Sequence, residues 1–249
     1  MQTKNVLGID VGASGIKGAI VDLEAGDLVM ERIKLDTPQP STTDAMAETV
    51  AELVRQIGYE GELIGVGFPS VVKRGVAHSA ANIDKSWMNA NIEAIFSKST
   101  GKRVVAVNDA DAAGLSEMKY GRGKGIMGSV LLITIGSGLG SALFTDGHLV
   151  RNTEFGHCNL HGGIAEHYVS NLARKREDMS WEEFGKRFNE FLQMIERISC
   201  PDLIILGGGV SNRYELFSEW INIETEVTTA EMFNNAGIIG AALYAYENR

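Results

Sequence analysis

"VLGIDVGASGIKGAIVD", residues 6–22, decides how the rest of the chain is read. An apolar run ends in an acid, Asp10, and a turn of small residues follows, Gly12-Ala13-Ser14-Gly15. A second β-rich run then begins at Ile16. Glycine turns that open onto a helix hold a dinucleotide pyrophosphate at the helix N-terminus. This turn lies between two strands instead. A tight hairpin of that kind can point successive backbone N–H groups, and the Ser14 hydroxyl, at phosphate oxygens. Asp10, at the strand end, is placed to orient a hydrated Mg2+. Alone, the stretch reads better as an ordinary hairpin with a glycine turn.

Working outward, residues 28–35 extend the pattern to a meander of three antiparallel strands. Met46, Val50, Leu53, Val54 and Ile57 recur at helical spacing over 43–57, with Thr43 as the expected cap. Strands are predicted over 63–68 and 103–107, and helices over 91–98 and 109–119. The opening then repeats itself. SVLLITIGSGLGSALFTDGHLV, residues 129–150, is again strand, glycine-rich turn, strand, hairpin turn, strand. The last predicted strand, DLIILGGGVS at 202–211, ends in a third glycine turn, and 235–246 is a closing helix expected to pack on the first domain. The repetition predicts an α/β protein of two related domains. One covers 1–108 and is completed by 235–249; the other covers 109–234. One glycine turn is weak evidence for a phosphate site. Two in duplicated meanders, with a terminal LGGG, are strong.

Composition narrows the partners. With 249 residues, 44% hydrophobic and 22% charged, the chain can bury a substantial core and is not a disordered protein. The start carries no basic apolar leader, and no apolar run approaches the roughly 20 residues that span a bilayer. Cys158 and Cys200 have no CxxC spacing, which fits a reducing cytosol and buried thiols. A net charge of −9 argues against nucleic acid and requires local cations for any anionic substrate. KYGRGKG (119–125) offers Lys119, Arg122 and Lys124 on a glycine-rich backbone able to follow an extended anion, and Arg174, Lys175 and Arg176 form a second basic run. For Arg174, Lys175 and Arg176 a solvated surface is as ready a reading; for Arg122 and Lys124 the anion-binding reading is preferred.

Two further stretches carry chemistry. NDADAAGLSE (108–117) places Asn108 and Asp109 where a strand gives way to a helix. Such residues cap helices. A carboxylate held there can also accept a proton from a substrate hydroxyl, as phosphoryl transfer requires. Asp111 falls on another face of that helix and is read as structural. TEFGHCNLHG (153–162) holds Glu154 and His157, which suit a polyhydroxyl ligand. His157, Cys158, His161 and His167 lack the spacing of a zinc knuckle. Met46, Met88, Met118 and Met194 are read as core or cleft filling.

Together DVGAS, NDAD, IGSGLGSAL, EFGH and LGGGVS resemble the sugar kinases of the ROK family (repressor, open reading frame, kinase) within the actin-like ATPase superfamily, over nearly the whole chain. SGIKGAIVDLEAG, TPQPST, AANIDKSW and KREDMSWEEF are similar to the polyphosphate-using glucokinases of that family. The resemblance implies two actin-like (ribonuclease H-like) domains with a cleft between them. It implies phosphorylation of glucose to glucose 6-phosphate with polyphosphate, and ATP as a further donor, in the presence of Mg2+; the alternative is an ATP-dependent kinase of glucose or another hexose. It makes Asp109 the catalytic base and Asp10 the phosphate-end acid. It assigns sugar binding to Asn82, Asn108, Glu154, His157 and Glu166. Donor binding falls to Gly12, Ser14, Gly15, Lys17, Gly136, Ser137, Gly138 and Gly208, with Arg122 and Lys124 added from the charge argument. It further implies a cytoplasmic homodimer.

The chain departs from the family pattern in places. HGGIAE (161–166) stands where the family carries a cysteine-rich zinc motif, so no structural zinc is expected. Ala13 and Ser70 replace usual glycines, the latter beside expected sugar contacts, and Ser137 replaces a commoner threonine. The family's repressors carry an N-terminal helix-turn-helix, for which a first strand beginning at about residue 5 leaves no room. A catalytically dead sugar sensor would be expected to have lost Asp109.

Overall fold

A computed structural model describes residues 4–249. The chain folds as two compact units: one runs through Ser116 and resumes with Asn235–Arg249, and the other is Glu117–Asn234. The sequence reading drew its boundary at 108/109; the units part inside a helix, between Ser116 and Glu117.

The first unit opens with β1 (Asn5–Val11) and β2 (Ile16–Asp22), an antiparallel hairpin, followed by β3 (Asp27–Leu28) and β4 (Ile33–Leu35). The expected third strand is thus broken in two: β3 pairs with the far end of β2, and β4 with its near end at Ile16–Gly18. Helix α1 (Thr43–Ile57) is capped by Thr42, whose side chain accepts from Ala45 N, one residue before the expected cap. Then come β5 (Leu63–Phe68), the short ribbon β6 (Val72–Lys73) and β7 (Val76–Ala77), α2 (Ile92–Thr100), β8 (Arg103–Asn108) and α3 (Asp109–Tyr120). The sheet order is β3-β2-β1-β5-β8, with β5 and β8 added parallel to β1.

The second unit repeats the plan with β9 (Ser129–Ile135), β10 (Leu139–Thr145) and β11 (His148–Val150). A small hairpin, β12 (Asn159–Leu160) with β13 (Gly163–Ile164), precedes α4 (Ala165–Val169), α5 (Asn171–Arg176) and α6 (Trp181–Ser199). Strand β14 (Leu203–Gly207) joins β9 in parallel, and β15 (Glu226–Thr229), which the sequence reading missed, joins β14 in parallel. Helix α6 lays Phe184, Phe188, Phe191, Leu192 and Ile195 against Leu131, Ile133, Ile204 and Leu206 of the sheet. Cys200 ends α6 in a left-handed conformation and is exposed, and Cys158 is half-buried, so neither is the buried thiol expected. Met46 is core, whereas Met88 is exposed.

Helix α7 (Ala236–Glu247) returns to the first unit and lies across β1 and β5. Along β1, Leu7 and Ile9 enter the core shared with α1, while Gly8 faces the other way. A Cβ on Gly8 would overlap the Ile238 carbonyl, and one on Gly65 the Ala241 carbonyl. The sheet meets this helix backbone to backbone, which only glycine permits. Among the described residues no helix is long and apolar enough to cross a membrane.

Candidate active site

Parallel strands share a carboxyl edge, and open α/β sheets bind ligands just beyond it. In the first unit Asp10 pairs in register with Gly67, and Phe68 with Asn108, so Asp10, the end of β5 and the Asn108–Asp109 step lie along one edge. Asp10 Oδ2 accepts from Lys17 Nζ at 3.3 Å across the hairpin. Gly237, at the start of α7, brings that helix N-terminus onto Asp10: a Cβ there would sit 2.9 Å from Asp10 Cγ. The turn between the strands closes with Gly12 N donating to Gly15 O at 3.0 Å. Ser14 and Ala13 are exposed on it, so the alanine that departs from the family pattern meets nothing.

Asn108 is buried and does the capping work itself. Its Oδ1 accepts from Ala110 N at 2.9 Å and Asp111 N at 3.0 Å, and its Nδ2 donates to Ser70 O at 3.1 Å. Asp109 follows as the first residue of α3, half-buried, its position fixed by that cap. Ser70 is buried in place of the usual glycine. Its hydroxyl donates to Ser79 O at 2.8 Å and accepts from Ser79 N at 3.1 Å, and Ser79 Oγ accepts from Val71 N at 2.9 Å. This clamp holds one flank of the bend on which Asn82 is exposed; Lys85 Nζ, donating to Ala80 O, ties across it.

In the second unit Glu154, His157 and Glu166 come together. His157 Nδ1 meets Glu154 Oε2 at 3.0 Å, and its Nε2 lies 3.8 Å from Glu166 Oε1. Burial raises the Glu154 pKa above the ordinary carboxylate value; the Glu166 charge adds to the shift, while His157 opposes it. The loop is set by Ser141, buried on β10: its hydroxyl donates to Thr153 O at 2.6 Å and accepts from Phe155 N at 3.0 Å. Glu166 also touches the glycine turn. Its Oε2 accepts from Leu139 N at 3.1 Å, and a Cβ on Gly138 would overlap that oxygen. Gly136 N donates to Gly138 O at 3.0 Å, leaving Ser137 exposed at the tip. Gly208 has φ 77° and packs on the end of β9, where a Cβ would lie 2.7 Å from Ile135 N and O.

The cations divide. Arg122 Nε pairs with Glu231 Oε1 at 3.1 Å, and Lys124 is exposed. The second basic run is taken up locally: Arg174 lies over the Trp181 ring, and Arg176 donates to His167 O. Sequence reasoning passed over Glu117, fully buried. Its Oε1 accepts from Glu231 N at 2.9 Å and Met232 N at 2.7 Å, and its Oε2 accepts from Arg122 N at 3.1 Å. Like Ser70 and Ser141, it serves backbone groups, which no side-chain motif announces. Among the described residues no group of three or more His, Cys, Asp or Glu side chains could hold a metal by itself.

Comparison with known proteins agrees with this layout. The polyphosphate glucokinase of Mycobacterium tuberculosis (strain H37Rv) is 46% identical over 237 residues, covering 95% of this chain and 89% of that protein. The crystal structure of the inorganic polyphosphate/ATP-glucomannokinase from Arthrobacter sp. strain KM matches with a TM-score of 0.96 at 42% identity, over 98% of this chain and 99% of that one. A ROK family glucokinase from Streptomyces griseus, crystallised with glucose and AMPPNP, shares the fold at a TM-score of 0.83 and 24% identity, over 98% of this chain and 99% of that one. The family model matches residues 6–168, from the first glycine turn through the Glu154–His157–Glu166 cluster, and the chain belongs to the ROK family.

Proposed function

We propose that this chain transfers a phosphoryl group from polyphosphate, and also from ATP, to the 6-hydroxyl of glucose. The observation that carries the reading is Glu166. One of its oxygens backs the glycine turn at Leu139 N, and the other faces His157, so a phosphate turn and a hydroxyl-binding pair form one piece. Glu154 and His157 hold sugar hydroxyls, with Asn82 and the remaining Asn108 hydrogen assisting. Asp109 orients the attacking hydroxyl and takes its proton. The hydroxyl oxygen bonds to the terminal phosphorus, the bridging P–O bond breaks, and the donor leaves one phosphate shorter. The glycine turns and Lys17 cradle the donor.

Mg2+ keeps several waters and is held by one or two carboxylates plus substrate phosphates rather than by a protein cage. Asp10, a single carboxylate at the turn, fits that role through water. When bound, the ion neutralises charge on the transferred group.

The deciding experiment assays glucose phosphorylation with polyphosphate and ATP in parallel. Activity with both is expected. Activity with ATP alone would make this an ATP-dependent hexose kinase, and mannose belongs in the same panel because the Arthrobacter relative is a glucomannokinase. No sugar phosphorylation with either donor would overturn the reading.

A further inference from the structure

The Arg122–Glu231 pair lies near the Gly208 turn. Ala230 N donates to Leu206 O at 2.9 Å, and a Cβ on Gly207 would lie 3.9 Å from the Ala230 Cβ. Ala230 therefore stands beside the strand end from which the Gly208 turn springs, and Glu231 is the next residue. Through Glu231, Arg122 is brought to the carboxyl edge of the second sheet.

Two features leave this ion pair able to open. First, its ends are anchored independently of the pair. The buried Glu117 carboxylate accepts from the backbone of Arg122 on one side and of Glu231 and Met232 on the other. Both side chains can separate without moving either segment. Second, the side chains are about half exposed, at 50% and 45%, so the pair is screened and weak. A polyanion with several charges can displace a single carboxylate from such a guanidinium.

We propose that Glu231 is a donor-specificity residue: its carboxylate occupies Arg122 in the free protein, and an extended phosphate chain must compete with it for that guanidinium. The inference rests on the reading of Arg122 as a donor contact. The occupied arginine discourages small anions, which offer one charge for one. A long chain pays that cost once and spreads it over its other contacts.

The test compares the parent, Glu231→Gln, Arg122→Ala and the double variant, assayed with long-chain polyphosphate and with ATP across a salt series. Glu231→Gln keeps the shape and leaves the backbone on Glu117, and an unchanged thermal midpoint checks that. It should lower the polyphosphate KM by about two- to five-fold at low salt, in line with the worth of an exposed ion pair. The gain should shrink as salt rises, leave the glucose KM unchanged, and vanish in the double variant. If Arg122→Ala raises the polyphosphate KM while Glu231→Gln changes nothing, the competition is absent and the donor role of Arg122 stands. If Arg122→Ala leaves polyphosphate use intact, the donor role fails and the inference with it. A raised KM in Glu231→Gln would make Glu231 a supporting contact, which also overturns it.

Discussion

Asp109 owes its place to its neighbour. Because Asn108 spends its Oδ1 on the α3 cap, the next residue is held at a fixed point on the strand-end edge. Asp109→Asn should keep the fold and glucose binding while kcat falls by about 10²-fold or more, as expected for loss of a general base; steady-state kinetics beside a glucose titration measures both. Glu154 makes a different prediction. Its raised pKa means that the proton stays on to higher pH than on a free glutamate. An ionised carboxylate accepts sugar hydroxyls on both oxygens and more strongly than the protonated acid, so kcat/KM for glucose should climb with pH along a limb centred above the usual glutamate value. Glu154→Gln should flatten that limb and raise the glucose KM far more than the donor KM. The stability sign runs the other way. A group with a raised folded-state pKa favours the fold below its unfolded value and loses that contribution as pH rises through the folded one. Glu154→Gln should therefore melt no lower than the parent at pH 7. The motifs made Asp109, Glu154 and His157 legible in the sequence. They did not reveal that Asn108 is committed to a cap, or that Ser70 and Ser141 hold the loops, since those partners are backbone atoms far along the chain.

At the scale of elements, the glycine face of the first sheet is the most sensitive surface. Gly65→Ala would drive a methyl into the Ala241 carbonyl, between two rigid backbones, with no side chain to give way. Overpacking of this kind costs about 1–3 kcal/mol, and a urea midpoint should show it, with Ala at the exposed position 13 serving as the natural contrast. Helix α1 could be read ahead because its apolar stripe repeats at 3.6 residues; α6, whose stripe is as regular, went unread. Strand β15 could not: EVTT is short and only half-buried, and it is a strand because β14 offers it an edge. The split of β3 from β4 has a similar origin, since both pair with separate ends of β2. That α7 lands on β1 and β5 is written in Gly8 and Gly65, which look in the sequence like any other strand glycines.

For the whole molecule, charge and assembly are the two testable properties. A protein of net charge −9 gathers a polyanion only through local cations. Lys124→Ala should raise the polyphosphate KM by about three-fold at low salt, with the difference fading as ionic strength rises. ATP use should suffer less, because its phosphate chain is only three units long. The homodimer expected from the sequence predicts a solution mass of two chains, which small-angle scattering measures; a mass of one chain would overturn it. The placement of α7 has a consequence for how the protein comes into being. The helix that covers the first sheet is translated after every other element. During synthesis the second unit has all its parts in hand, while β1 and β5 wait with their glycine face bare. A nascent chain paused at 234 would carry that open surface until residues 235–249 leave the ribosome and seal it.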